Sequence, residues 1–278
     1  MQIIKEYYKD KLNYYKDYIT NKNLKISLAI FQVGDSEASN RYVRNKIKDC
    51  EKVGITCNLY KYDETISEED FICDLKLANS LNCLTGIIVQ LPLPKHISEE
   101  KVKLVINPEK DVDGFHPLSK TNPATPQGII TYLEDQNYDF VDKNALIIGR
   151  SDIVGRPMAK LLLNKSCNVS VIHSKTSEYN KRQLIRNANL IIVATGHRNT
   201  LTDDDLTWTV QCGDECEYYD EIVNSKAFIF DVGINFTEDG KLVGDCENVT
   251  VCERSPSPFG VGLLTRLAVI ENLIKLAE

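Results

Sequence analysis

The apolar positions of the chain follow two alternating rhythms. Short, nearly continuous apolar runs occur at KISLAIFQVG (25–34), ITCNLYKY (55–62) and GIIVQLPLP (86–94). Between them lie longer stretches in which apolar residues recur every three or four positions, at 3–20, 35–54 and 67–81. The runs predict strands and the stretches amphipathic helices. In the second helix Ser36 or Asp35 is the expected N-cap, Val43, Ile47 and Cys50 form the core stripe, and Gly54 sits at the C-terminal end. A second series begins near residue 125, with a helix at 126–136, strands at 144–149, 168–173, 190–195 and 227–232, and a helix at 155–165. The last stretch, 260–278, reads as a strong amphipathic helix. Helices alternating with continuously apolar strands predict parallel sheets covered on both faces, in two α/β units. Open sheets of this kind bind ligands outside the carboxyl ends of their strands, so the polar residues that end these strands are the place to look for function.

Length and charge narrow the classes. A chain of 278 residues accommodates about two domains. Its 33 basic and 40 acidic residues give a net charge of −7, which with no basic stripe argues against a nucleic-acid partner. The first eighteen residues are too charged for a signal peptide, and no apolar run approaches the ~20 residues that span a bilayer, so a cytoplasmic protein is expected. The nine cysteines are scattered and odd in number. Cys50, Cys57, Cys73, Cys83, Cys167, Cys246 and Cys252 read as small core residues. Cys212 and Cys216 have neither a second pair nor a nearby His to complete a zinc site, so no metal is expected.

The second unit carries a phosphate-type turn. Gly149 ends a strand, Ser151 occupies a tight-turn position, and Gly155 opens a helix whose free N–H groups can receive phosphate. This Gly-x-Ser-x-x-x-Gly pattern departs from the strict dinucleotide fingerprint, and by itself it also suits a purely structural strand–turn–helix. The next strand ends in His173–Ser174–Lys175–Thr176 with no carboxylate for ribose hydroxyls. Hydroxyl and basic groups there suit a 2′-phosphate, which favours NADP over NAD, and Arg150 offers a further phosphate contact. Thr195 and Gly196 in ATGHR, and Ile234 in DVGIN, lie at strand-end turns suited to the nicotinamide side.

In the first unit, Tyr42 and Lys46 are four apart on one helix, a pairing equally at home on a solvated face. Gln90 interrupts an apolar strand and needs hydrogen-bond partners from the core or from a site. Asp111 and Asp113 precede Gly114, and turn capping explains one of them more readily than both.

The stretches 33–55, 86–94, 110–117, 125–128, 147–163, 173–176, 231–235 and 255–265, in that order, resemble the FolD family of bifunctional methylenetetrahydrofolate dehydrogenase/methenyltetrahydrofolate cyclohydrolases over nearly the whole chain. The resemblance implies a folate-binding catalytic domain, 1–122 completed by 256–278, and a Rossmann-like NADP-binding domain, 123–255, with the C-terminal helix closing back on the first. It implies tetrahydrofolate derivatives as substrates and a homodimer joined through the cofactor-binding halves. Tyr42 would pack on the folate ring, Lys46 would be the central catalytic residue, tuned toward neutrality by burial and by Gln90, and Asp113 would anchor the pterin. Gly260 lies in the loop at 256–262 that would line the cleft. Arg150 and Ser174 would contact the 2′-phosphate, with Gly149, Ser151, Gly155, His173, Thr195, Gly196 and Ile234 completing the cofactor site. The chain departs from the family in a shortened segment at 118–122, Ala124 in place of a Cys, Phe259 in place of a Gly, Leu263 in place of a Pro, and an insertion at 208–222. These departures leave open a dehydrogenase-only or substrate-shifted oxidoreductase, or a non-catalytic folate- or nucleotide-binding paralogue.

Overall fold

The computed structural model describes residues 2–210, 219–222, 224 and 226–278. Cys212, Cys216 and most of the expected insertion lie outside the described residues. The chain forms two compact units. One comprises Glu6–Ala124 with Thr265–Glu278, the other Met1–Lys5 with Thr125–Leu264.

The first unit runs α1 (Ile4–Asn21), β1 (Ser27–Val33), α2 (Glu37–Lys52), β2 (Thr56–Tyr62), α3 (Glu68–Ser80), β3 (Gly86–Val89) and α4 (Glu99–Val105). Its sheet is parallel, in the order β2-β1-β3. Because β1 is central, it is buried almost throughout. Ala29, Phe31 and Val33 point to one face, where Phe71, Leu75, Ile87 and Val102 close a core, with Phe71 edge-on to Phe31 at 6.2 Å. At Gly86 an added Cβ would lie 2.6 Å from Leu273, so the C-terminal helix packs hard on β3.

Several sequence expectations fail here for physical reasons. The strand at 55–62 was expected to be covered, yet most of β2 is exposed: it is an edge strand with one neighbour, and its Asn58 and Lys61 face water. Ile47 is half-buried, so the stripe of α2 is carried by Val43 and Cys50. Ser36 is the N-cap of α2 by backbone position, without a side-chain bond. Cys73 and Cys83 are exposed rather than core residues, while Cys57 is half-buried. The seven residues of α4 are too few to show a period, although Ser98 marks its start by accepting from the Lys101 N–H.

The second unit contains α5 (Ala124–Asp135), β4 (Asn144–Ile148), α6 (Gly155–Asn164), β5 (Asn168–Ile172), α7 (Glu178–Asn187), β6 (Leu190–Val193), α8 (Asp203–Leu206), β7 (Thr207–Val210), β8 (Tyr219–Ile222), β9 (Phe228–Asp231), β10 (Asn235–Phe236) and β11 (Leu242–Val243). The last helix is α9 (Val261–Ala277). A parallel sheet, ordered β5-β4-β6-β9, is joined by two antiparallel pairs, β7–β8 and β10–β11. Leu146, Ile148, Ile191 and Val193 pack against Ile185, Leu201, Leu206 and Val249. The polar helix α7 has a mostly solvated surface, with Ile185 its buried anchor, which hid its period.

Residues 256–264, expected with the first domain, pack with the second unit. The Ser255 N–H donates to the Ile229 carbonyl and the Ile229 N–H to that of Glu253, pinning the segment just upstream beside β9. Among the described residues no helix is long and apolar enough to cross a membrane.

Candidate active site

In each sheet the strand order reverses about one central strand, and the carboxyl ends beside that reversal form the natural ligand crevice. In the first unit the reversal lies between β1 and β3. Gln90 follows β3 directly, its N–H donating to the Phe31 carbonyl at 2.8 Å. Its side-chain Nε2 donates to the Leu91 carbonyl at 2.7 Å, which turns Oε1 toward Lys46, and Lys46 Nζ donates to it at 3.2 Å. Sequence reasoning paired these two residues by resemblance; the sheet explains the pairing, because Gln90 is the first polar group beyond a fully buried strand.

Lys46 is half-buried on α2, one turn beyond Tyr42, and among the described residues no carboxylate pairs with it. An amide partner orients the lysine nitrogen without neutralising its charge. Tyr42 is also half-buried, and burial pushes its hydroxyl pKa up, against the opposing charge of Arg41. The start of α2 is held from below: buried Gln32 donates to Asn40 Oδ1 at 2.7 Å, and Asn40 donates to Asp35 at 2.8 Å.

The two aspartates separate into two roles. Asp111 accepts from the N–H groups of Gly114 and His116, so it is the turn cap, and burial pushes its pKa up. Asp113 is also buried, though less deeply, at 9% exposed against 1%, and makes no hydrogen bond among the described residues. A buried carboxylate with open acceptors is available for a ligand's donors. The shortened 118–122 segment is closed over this turn, since Thr121 Oγ1 donates to the Asp111 carbonyl at 2.6 Å. Asn272, which sequence reasoning missed within the apolar stripe of α9, donates to the carbonyls of both Val112 and Asn122.

In the second unit the reversal lies between β4 and β6. Gly149 has φ 121°, and an added Cβ would stand 2.3 Å from the Ala194 carbonyl oxygen. Gly155 packs as closely on the Gly149 carbonyl, at 2.3 Å. The absence of side chains at both positions leaves a backbone-lined cradle. One expectation needs correction: the first N–H groups of α6 are not free. Ser151 Oγ accepts from Val154 and Gly155, and the Ser151 carbonyl accepts from Arg156. The donors offered to a phosphate are the turn N–H groups of residues 151–153, which make no bond among the described residues.

At the end of β5, Thr176 Oγ1 accepts from the His173 N–H and His173 Nδ1 accepts from the Lys175 N–H, leaving Ser174 and Lys175 exposed. Arg150 is exposed on the neighbouring turn. Thr195 and Gly196 form a turn whose N–H groups both donate to Asp245, and Ile234 is half-exposed beside it in sequence to Asn235, which also donates to Asp245. These residues fit a dinucleotide: a side-chain-free cradle, free turn N–H groups, and no carboxylate where a 2′-phosphate would rest.

Gly260 belongs to this unit, where an added Cβ would meet the Pro256 carbonyl oxygen at 2.1 Å. Phe259 before it sits at φ 76°, a left-handed conformation, with its ring 57% exposed and Lys5 Nζ 5.6 Å above it. An L side chain in that region costs about 1–2 kcal/mol. Phe259→Gly removes this strain but frees the unfolded chain and loses the weak Lys5 contact, so stability is expected to stay within about 1 kcal/mol. Phe259→Val places a β-branched residue there and is expected to cost roughly 1–2 kcal/mol more than Phe259→Gly, read from urea midpoints.

Comparison with known proteins follows the same division. The sequence pattern of the tetrahydrofolate dehydrogenase/cyclohydrolase catalytic domain matches residues 2–113, and that of the family's NAD(P)-binding domain matches 123–210 and 209–278. The bifunctional protein FolD of Enterococcus faecalis is 37% identical, covering 94% of this chain and 90% of that one. The Bacillus thuringiensis protein of the same name is 38% identical over 90% of this chain and 86% of its own. The crystal structure of the Campylobacter jejuni bifunctional methylenetetrahydrofolate dehydrogenase/cyclohydrolase is similar with a TM-score of 0.83 at 35% identity, covering 98% of this chain and 95% of that one. Site geometry, both domain matches and these relatives agree, and the chain belongs to the tetrahydrofolate dehydrogenase/cyclohydrolase family.

Proposed function

We propose that this protein oxidises 5,10-methylenetetrahydrofolate with NADP⁺ and hydrolyses the resulting 5,10-methenyltetrahydrofolate to 10-formyltetrahydrofolate. The observation that carries the reading is the Lys46–Gln90 hydrogen bond at the strand reversal of a matched catalytic domain. The relatives described above are each bifunctional by name, which supports both steps.

The residue types suit this chemistry. Oxidation removes a hydride from the carbon held between two folate nitrogens, and NADP⁺ when bound supplies its acceptor. Tyr42 and Asp113 hold the pterin, the tyrosine by its ring face and the carboxylate by accepting from the amino-pyrimidine edge. In hydrolysis a water oxygen bonds to the methenyl carbon and the bond from that carbon to N5 breaks. Lys46, held in line by Gln90, takes one water proton and returns it to N5 as that bond breaks, and the remaining hydroxyl proton leaves to solvent as the formyl carbonyl forms. Arg150, Ser174 and Lys175 receive the 2′-phosphate, and the turn N–H groups of 151–153 the pyrophosphate. The chain acts as a cytoplasmic homodimer through its cofactor-binding halves, which light scattering would test.

Incubating the protein with methylenetetrahydrofolate and NADP⁺ or NAD⁺, while following reduced nicotinamide, methenyl compound and formyl product separately, tests the reading. Both steps should proceed, NADP⁺ serving better than NAD⁺. A second reading, a dehydrogenase without effective hydrolysis, is favoured by Phe259 in its strained loop. Its signature is nicotinamide reduction without accelerated methenyl loss; absence of both turnovers would overturn both readings.

A further inference from the structure

We infer that Asp245 is the positioning residue of the cofactor site, holding the Thr195–Gly196 turn in the shape that receives the nicotinamide half of NADP. The inference rests on the cofactor reading above. Asp245 is fully buried. Its Oδ2 accepts from Thr195 N at 2.8 Å, Thr195 Oγ1 at 3.0 Å and Gly196 N at 3.0 Å, and its Oδ1 from Asn235 Nδ2 at 2.8 Å. Thr195 and Gly196 lie in the turn just after β6, and Asn235 opens β10 shortly after β9, so all of these donors stand at the carboxyl edge of the sheet.

A second buried carboxylate supports the first. Asp231 accepts from the N–H groups of Gly233, Asp245 and Cys246, and burial pushes its pKa up. The two glycines of these loops are required by the carboxylates: an added Cβ at Gly233 would lie 1.9 Å from Asp245 Oδ1, and one at Gly244 1.9 Å from Asp231 Oδ2. Among the described residues neither aspartate has a basic partner. Burying a carboxylate without a cation is costly unless N–H and O–H donors surround it. Here the donors are the very turns expected beneath the nicotinamide, so the carboxylates fix those turns before any cofactor arrives. Such preorganisation lowers the ordering cost of binding.

The test compares wild type, Asp245→Asn and Asn235→Ala as full-length proteins. Asp245→Asn replaces an acceptor oxygen by an NH₂ that faces the same N–H donors. Its dissociation constant for NADP⁺, measured by calorimetry without folate, should rise at least tenfold. Asn235→Ala removes one donor and spares the carboxylate; it should raise the constant three- to tenfold, and it remains informative if Asp245→Asn does not fold. In steady state both variants should raise KM for NADP⁺ while KM for methylenetetrahydrofolate stays within twofold. A merely structural role would lower the active fraction, hence kcat, and leave the NADP⁺ constants alone. Wild-type binding with variant constants within twofold of it would overturn the inference alone. A wild type that binds neither NADP⁺ nor NAD⁺ would overturn the cofactor reading and this inference with it.

Discussion

Replacing Lys46 by Met is expected to abolish hydrolysis of methenyltetrahydrofolate, with a loss on the order of 10²–10⁴-fold, the usual worth of a positioned acid–base group. Methionine keeps much of the lysine stem, so packing along α2 changes little, while the amine that donates to Gln90 is lost. The loss therefore reports proton transfer rather than unfolding, provided the thermal midpoint stays near that of the wild type. Gln90→Glu is a useful companion, because it exchanges an uncharged acceptor for a carboxylate that ion-pairs the amine and keeps it protonated. A Lys46→Met enzyme with full cyclohydrolase activity would sink the role assigned to Lys46.

The largest expected effect on stability is at Arg266. Its guanidinium reaches Asp49 at 2.5 Å, donates to the Tyr8 hydroxyl oxygen, and lies 5.0 Å from the Tyr8 ring centre. This cluster ties α9 and α1 to α2 one turn beyond Lys46, all within one unit. Asp49 is almost wholly buried, and its other oxygen faces Lys52 at 3.5 Å. Arg266→Met leaves that carboxylate buried with only the half-exposed Lys52 and the Tyr8 hydroxyl as partners, and removing one partner of a buried pair costs up to about 3–5 kcal/mol. The melting transition of this unit should fall by roughly 10 °C. Asp49→Asn combined with Arg266→Met should be less destabilised than Arg266→Met alone, because no charge is then left buried. Additive losses in the double-mutant cycle would show that the pair is not coupled.

The outline of the fold was legible where burial imposes a period. β1, β3, β4 and β6 are nearly continuous apolar runs because each is covered on both faces; the ends of β1, β4 and β6 fall within two residues of those read from the sequence, whereas β3 ends at Val89, five residues before the expected 94. β2 misled because an edge strand has one neighbour and keeps polar residues. The helices α4 and α7 were missed because one is a turn or two long and the other has little buried surface. Phe259 stood out in the sequence as a Phe where the family has Gly, yet only the backbone revealed that it occupies a left-handed conformation.

The sequence by itself determined the chemical identities: a Tyr and a Lys one helical turn apart, an amide ending an apolar strand, two aspartates before a glycine, and a strand end without a carboxylate. Those are local patterns, and local patterns survive in one dimension. Tertiary structure decided which groups meet. It gave Asp111 to the turn and left Asp113 open, gave the first N–H groups of α6 to Ser151, and brought Asp245 to a turn 50 residues away. Hydrogen bonds across such separations follow from strand order and loop closure, which no periodicity records, so the positioning residues emerged only once the chain was folded.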